Sequence, residues 1–429
     1  MKKKYRIILY TSIFLLCVVA SIILVVKKSN SVYEEESKPK VVKHKSMLSM
    51  NLEQTAGAGD YKTVTQSKWP TEGYKFNAEL SRCENGSTLS WDDTKKAVIV
   101  SGNLSDKCYV YFDIYQPTLA EYIKSQYTGT QGENNIYYHN SSLENGAGDN
   151  SYRYAGANPN NFVCFGSDTS PCPTDNLYRI IGVFGENYHG VTGKQLVKLI
   201  KYDYMTTDEL GTDGDYSQTY KEWGMDSTYK GTYGDGERIG VYYWNYKATG
   251  SATNTWSTSL LNKTNLNTNF INNIGTTWAN KIATVTWKVG GNTWANIGTK
   301  TSSVAYTNEI TNPVTTNTTD NATTYSAKIG LMYVSDYGFA ASPDAWTLTM
   351  SSYNNTTATN NNWMYMGLYE WTISRDAGFS YVAFYVSGGG SVSYDYVDRR
   401  NGVRASFSLE SSVSYVSGSG SMSDPIVIN

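Results

Sequence analysis

"LYRIIGVFGENYHGVTGKQLVKLIKY", residues 177–202, is the stretch on which the fold class turns. Its two ends, "LYRIIGVF" at 177–184 and "QLVKLIKY" at 195–202, are short runs rich in aliphatic and aromatic residues, and each reads as a β-strand. The same kind of run recurs downstream at "IATVTWKVG" (282–290), "AKIGLMY" (327–333), "YVAFYVS" (381–387) and "GVRASFSL" (402–409). Helices are few. "STSLLNKTNLNTNFINNI" at 257–274 can present Leu260, Leu261, Leu266, Phe270, Ile271 and Ile274 on one apolar face, and "WANKIA" forms a further short turn. Asn/Thr/Gly loops such as 311–324 and 351–362 lie between these elements. Residues 151–429 are therefore expected to form one irregular mixed α+β domain with much of its mass in loops.

Upstream the texture changes. Residues 74–116 carry alternating runs, "AVIVSG" and "CYVYFDIY", separated by "ENGST" and "WDDTKK" turns, which predicts a small β-domain. A domain of about 42 residues is marginal alone and needs a staple. Residues 117–150 are read as a connecting helix and loop, because Pro117 opens "PTLAEYIKSQY" with Leu119, Tyr122, Ile123 and Tyr127 at helical spacing. Residues 27–73 hold the Glu34-Glu35-Glu36 run, four lysines between Lys38 and Lys45 and a Gly-Ala-Gly patch at 57–59, the composition of a stalk or linker.

Residues 7–26 are an apolar stretch about 30 Å long as a helix, enough to cross a bilayer. Lys2, Lys3, Lys4 and Arg6 outnumber Lys27 and Lys28, so residues 1–6 are expected to be a cytoplasmic tip and the rest to lie outside a single-pass plasma-membrane anchor. A cleaved signal peptide ending at Val18-Val19-Ala20 is the rival, but the apolar run continues for six residues beyond Ala20. Outside that region 30 basic residues face 38 acidic ones, a balance that argues against a nucleic-acid partner. Four cysteines fall into two local pairs, Cys83 with Cys108 and Cys164 with Cys172, as suits an extracellular address. If unstrained, these loops are worth roughly 3.5 and roughly 2.6 kcal/mol by chain entropy.

Catalytic signatures are scarce. No Walker loop, HExxH, GxSxG or dinucleotide fingerprint occurs, so no enzyme activity and no cofactor are expected. Asp208, Glu209, Asp213 and Asp215 are the closest approach to a calcium cluster, but their spacing is not that of an EF-hand, and no metal site is assigned. Asp92-Asp93 and Asp235-Gly-Glu237 supply the paired carboxylates that a carbohydrate-active enzyme would need. Most tryptophans sit in strand or helix patterns and are read as core.

In order along the chain, "NLYRIIGVFG", "VKLIKYDYM", "YYWN", "WANKIATVTWKVGG", "KIGLMYVSDYGFAAS", "NWMYMGLYEWTISR" and "NGVRASFSLESSVSYVSGSGSMSDPIVIN" resemble successive segments of membrane-anchored surface proteins of Gram-positive bacteria, over roughly residues 74–429. The C-terminal part of those proteins is similar to the C-type-lectin-like fold shared with formylglycine-generating enzymes. The resemblance implies that fold, not its chemistry. No cysteine follows Cys172, so the enzymes' paired thiols have no counterpart, and the "EPN", "QPD" and "WND" runs of calcium-dependent lectins are missing.

Residues 375–404, "RDAGFSYVAFYVSGGGSVSYDYVDRRNGVR", stand out by composition. They contain no Lys, Glu, Gln, Met or Trp, types that make up 72 of 429 residues. About five would be expected by proportion. Every residue type present is reachable by changing the first two bases of an AAC codon, and none of the absent five is. The segment's place near the end of the domain is similar to where diversity-generating retroelements rewrite adenines in their variable proteins. Tyr381, Tyr385, Tyr394 and Tyr396 offer amphipathic contact area, and Asp395, Asp398, Arg399 and Arg400 offer charge that selects among partners. These eight are the candidate ligand-binding residues. Val392, Tyr394 and Tyr396 share one strand parity, so simple alternation cannot divide core from ligand face. The expected function is that of a non-catalytic cell-surface binding protein for an external protein or glycan. A structural envelope or adhesion scaffold is the alternative, and an exported carbohydrate-active enzyme the third reading.

Overall fold

The computed structural model describes residues 48–65, 68–70, 73–185, 188, 190–213, 217–219, 229–233, 238–247, 249–313, 323–353 and 356–429. Among the described residues no helix is long and apolar enough to cross a membrane, and the 7–26 stretch lies outside them. The class is mixed helix and sheet with sheets dominant, and the chain divides into two compact units, Met1–Tyr115 and Gln116–Asn429.

The first unit is a four-stranded sheet in the order Tyr61–Val64, Leu48–Glu53, Cys108–Ile114, Tyr74–Cys83, with a separate hairpin of Thr88–Asp92 and Ala97–Ser101. Two of these strands, Leu48–Glu53 and Tyr61–Val64, fall inside the 27–73 stretch read as stalk. Leu48–Glu53 runs parallel to Cys108–Ile114, a partner some sixty residues away that no local pattern advertises. The buried core is small: Met50, Leu52, Val110 and Phe112, flanked by Trp69, Phe76 and Trp91. Cys83 and Cys108 lie directly opposite one another in the register and are bonded, so the staple sits at the end of the longest strand pair.

The second unit holds two larger sheets. In the seven-stranded one, Ile329–Gly330, Ser406–Ser408, Leu196–Lys201, Leu177–Phe184, Tyr152–Tyr154 and Ile136–Tyr138 follow in that order, and Phe162–Cys164 also pairs with Leu177–Phe184. Both strands of the 177–202 stretch are buried along their whole length, which is why they read as continuous apolar runs rather than alternating ones. The six-stranded sheet runs Ser217–Thr219, Arg238–Tyr243, Arg400–Gly402, Glu370–Arg375, Val382–Val386, Val392–Tyr396. Cys164 and Cys172 form the second disulfide.

The helix Leu119–Ser125 begins with a capping box between Thr118 and Glu121 and buries Leu119 and Ile123, the two aliphatic positions of its predicted face. Helical structure covers Leu261–Phe270 and Ile271–Ala279, broken by a kink at Gly275, with Leu261, Leu266, Phe270 and Trp278 buried. Its first ten residues adopt π-type winding. Trp244, Trp256, Trp346 and Trp371 are among the largest fully buried side chains.

Asparagine amides hold the irregular backbone together. Asn161 donates to Ile180 O, Asn262 to Trp256 O, Asn265 to Leu210 O and Asp213 O, and Asn362 to Tyr337 O. Loop carbonyls without a ladder partner must find a donor when they are buried, and an amide on a short stem is a suitable one. This accounts for a fold with many loops and a large asparagine content.

Candidate binding face

The hairpin of Val382–Val386 and Val392–Tyr396 forms one edge of the six-stranded sheet. Its turn is closed by Ser387 N to Ser391 O at 2.8 Å and tied down by two core hydroxyls, Tyr337 on Gly390 O and Tyr365 on Gly388 O. Gly390 has φ +90, and a Cβ there would stand 2.2 Å from Thr359 Cγ2, so glycine is required. The register pairs Phe384 with Tyr394 and Val382 with Tyr396 on one face, and Tyr385 with Ser393 and Ala383 with Asp395 on the other.

The parity conflict is resolved by depth. Val392, beside the tethered turn, is buried, whereas further along the strand Tyr394 and Tyr396 are 40% and 52% exposed. Tyr394 meets Trp294 edge-on at 5.2 Å, and Trp294 in turn stacks on buried Phe384. Tyr396 stacks on Tyr381 at 5.4 Å, and Phe379 adjoins Tyr381 at 5.8 Å. Five aromatic rings thus form a partly exposed band along the hairpin. The hydroxyls of Tyr381, Tyr394 and Tyr396 make no hydrogen bond to the described protein.

The other candidate residues lie elsewhere. Tyr385 is half-buried on the opposite face, against Trp371 and Tyr369. Burial raises its phenol pKa. Asp395 is on Tyr385's side, its carboxylate on its neighbour Tyr396 N. Asp398, Arg399 and Arg400 are exposed at the turn that follows, where Arg399 N donates to Tyr396 O. The eight residues are therefore split between an aromatic face, its reverse and a charged turn. Sequence reading missed Trp294, assigned to core, and Phe379, which was present in the 375–404 segment but not singled out.

Two buried polar side chains fix the aromatic band. The Asn254 amide nitrogen is 2.7 Å from Asp376 O, 2.8 Å from Phe379 O and 2.7 Å from Val382 O. The Asp376 carboxylate accepts from Gly378 N, Phe379 N and Trp294 N, which joins the 376–379 turn to the Trp294 loop. Burial pushes the Asp376 carboxyl up, against the opposing pull of those three backbone donors.

The candidate catalytic and metal groups are occupied in other ways. Asp92 and Asp93 pair with Lys95 and Lys96 in a hairpin turn. Glu209 caps its own helix and pairs with Lys201 at 2.9 Å, and Asp213 accepts from Asn269. Asp215, Asp235 and Glu237 lie outside the described residues. No group of three or more His, Cys, Asp or Glu able to hold a metal occurs among the described residues. One ionic network escaped sequence reading. Lys198 reaches Asp336 at 2.6 Å, with the Tyr188 hydroxyl on the same carboxylate and Arg153 pairing with Asp149 at 2.7 Å. The cavity beside Lys198, about 10 Å³, has room for about one water and none for a substrate. Searches of protein-family models, curated proteins and solved structures found no significant match to the chain.

Proposed function

We propose that the chain is a non-catalytic binding protein of the cell surface. In this reading residues 7–26 anchor it in the membrane. The second unit is C-type-lectin-like and offers the band of Phe379, Tyr381, Tyr394, Tyr396 and Trp294 to an external protein or glycan. One contrast carries the reading. Several tyrosine hydroxyls elsewhere are absorbed by the fold, as Tyr204 on Leu368 O, Tyr353 on Gly338 O and Tyr242 on Gly211 O, although not all are, the buried Tyr306 hydroxyl having no partner among the described residues. On the band the tyrosine hydroxyls find no acceptor among the described residues, and the rings are held by one another. Rigid aromatic rings with unengaged polar tips, among Ser and Gly, make a recognition surface of low conformational cost.

The test is a screen of the full chain against a glycan array and a panel of extracellular proteins, repeated with Tyr394→Ala and Tyr396→Ala. Each substitution should weaken a captured interaction by at least about fivefold, roughly 1 kcal/mol. Unchanged capture by both variants would remove the band from the binding surface. Gene sequences add a second arm. Diversification predicts differences between isolates concentrated in codons 375–404 and a near-copy template with AAC or AAT at the variable positions.

A further inference from the structure

A second site lies away from the aromatic band. Arg179, in the middle of the buried strand Leu177–Phe184, is 4% exposed and has no carboxylate partner among the described residues. Its guanidinium is sandwiched between the rings of Phe162, at 4.3 Å, and Trp363, at 4.7 Å. Nε donates to Asn161 Oδ1 at 2.7 Å, Nη2 to Pro159 O at 3.0 Å and Nη1 to Trp363 O at 3.5 Å. A guanidinium has five N–H groups, so two remain without an acceptor among the described residues. Of the other buried arginines, Arg404 pairs with Glu370 at 2.8 Å and Arg153 with Asp149, whereas Arg375, whose Nε donates to Val289 O, likewise shows no ion pair among the described residues but does not line the Arg179 cavity. The acid nearest to Arg179's neighbour Tyr202, Asp203, is taken up by Tyr204 N, Thr232 N and the Tyr229 hydroxyl.

Arg179 lines a cavity of about 300 Å³. Lys230 lines it too. Its ammonium lies 4.7 Å over the Tyr365 ring and bonds Thr359 O, again with no carboxylate among the described residues. Among the described residues no Asp or Glu lines the cavity. Its exposed rim carries Asn158 and Asn160, whose amides make no hydrogen bond among the described residues, and Ser421 lines it too. A buried cation without a counterion is costly, and burial away from any acid lowers the Arg179 pKa. An anion seated in the cavity would relieve that cost. A planar fork with both faces covered by rings presents only its edge, which matches a carboxylate. The volume is at the small end of ligand pockets and suits one ring-sized molecule, and free amides around a cationic centre suit hydroxyl groups.

We propose that this cavity binds a small carboxylate-bearing ligand of the acidic-sugar class, held by the Arg179 edge and Lys230. The test is calorimetric titration of the full chain with D-glucuronate, N-acetylneuraminate, neutral D-glucose and inorganic phosphate. At least one acidic sugar should bind saturably and more weakly as salt is raised, and glucose should bind at least about tenfold more weakly. Lys230→Met and Asn158→Ala, both at exposed positions, should reduce affinity, the first by about tenfold. Tyr394→Ala should leave it unchanged, so failure here is separable from failure of the aromatic band. Arg179→Gln should abolish binding, but Arg179 also braces the core, so the rim variants carry the test. Equal binding of glucose, binding of phosphate alone, insensitivity to Lys230→Met, or no saturation by about 50 mM would each overturn the proposal.

Discussion

Replacing Asn254 by alanine tests whether the aromatic band is built in advance by one buried amide. The amide nitrogen serves three carbonyls, but Val382 O has a second donor in Asp376 N, at 3.1 Å. Asp376 O and Phe379 O are the two that depend on this amide. At about 1–1.5 kcal/mol for each lost bond, the substitution should cost about 2–3 kcal/mol. The second unit spans about 310 residues, so its unfolding entropy is near 650 cal/mol/K and the melting point should fall by about 3–5 °C. Thermal unfolding measures that fall. Amide exchange at Gly378 and Phe379 should quicken by more than the global loss explains, because the turn is released locally. Asn254→Asp is the sharper variant. It keeps the shape but aims an acceptor at acceptors, so it should be worse than alanine. A milder effect for aspartate than for alanine, or unchanged melting in both, would refute the argument.

Glu309 gives a prediction in pH. It is buried, accepts from Val334 N, Ser335 N and the Ser374 hydroxyl, and burial raises its pKa from 4.5 to about 7. The folded state therefore holds the proton more tightly than the unfolded one. Its contribution is most favourable below about pH 4.5 and declines through about pH 7, by up to about 3 kcal/mol. Glu309→Gln should flatten that decline in denaturant titrations at several pH values, whereas an unchanged slope would assign it to other groups. Asp149, which Arg153 and its hydrogen bonds hold down to about 2 despite burial, works in the opposite sense, and its contribution fades as pH falls from 3.8 toward 2. Replacing Cys83 and Cys108 by serine should cost the first unit about 3.5 kcal/mol. Its four-residue core should then let residues 48–115 be cleaved by protease while the second unit stays intact. Equal protection of both units would contradict this.

Much of the architecture was legible because it is locally encoded. Both disulfides, the Leu119–Ser125 helix and the strands at 177–184 and 195–202 depend on patterns within a few residues or on a cysteine count. What escaped is set by distant partners. Leu48–Glu53 is a strand because Cys108–Ile114 lies beside it. Lys198 is tolerated in an apolar run because Asp336, 138 residues on, receives it, and Arg179 because Phe162 and Trp363 enclose it. A lone arginine in "LYRIIGVF" was the visible sign of the cavity, yet its meaning needed the missing counterion. At the aromatic band the residue types were readable, but which rings face outward depends on the tethered turn at Ser387–Ser391.

Ser406–Ser408 lies between Ile329–Gly330 and Leu196–Lys201, so one of the last strands to be synthesised is an inner member of its sheet. The final residues also return to the unit's opening: Leu119 N bonds Val413 O, Tyr415 N bonds Pro117 O, and Cys164 N bonds Ile426 O. The unit therefore cannot finish folding while it is still being translated up to residue 405. A premature stop or frame error anywhere in 375–404 leaves an open sheet for proteases rather than a shortened but folded unit. The closing strands thus act as built-in proofreading: only reading frames that run intact through residues 375–404 produce a molecule that lasts.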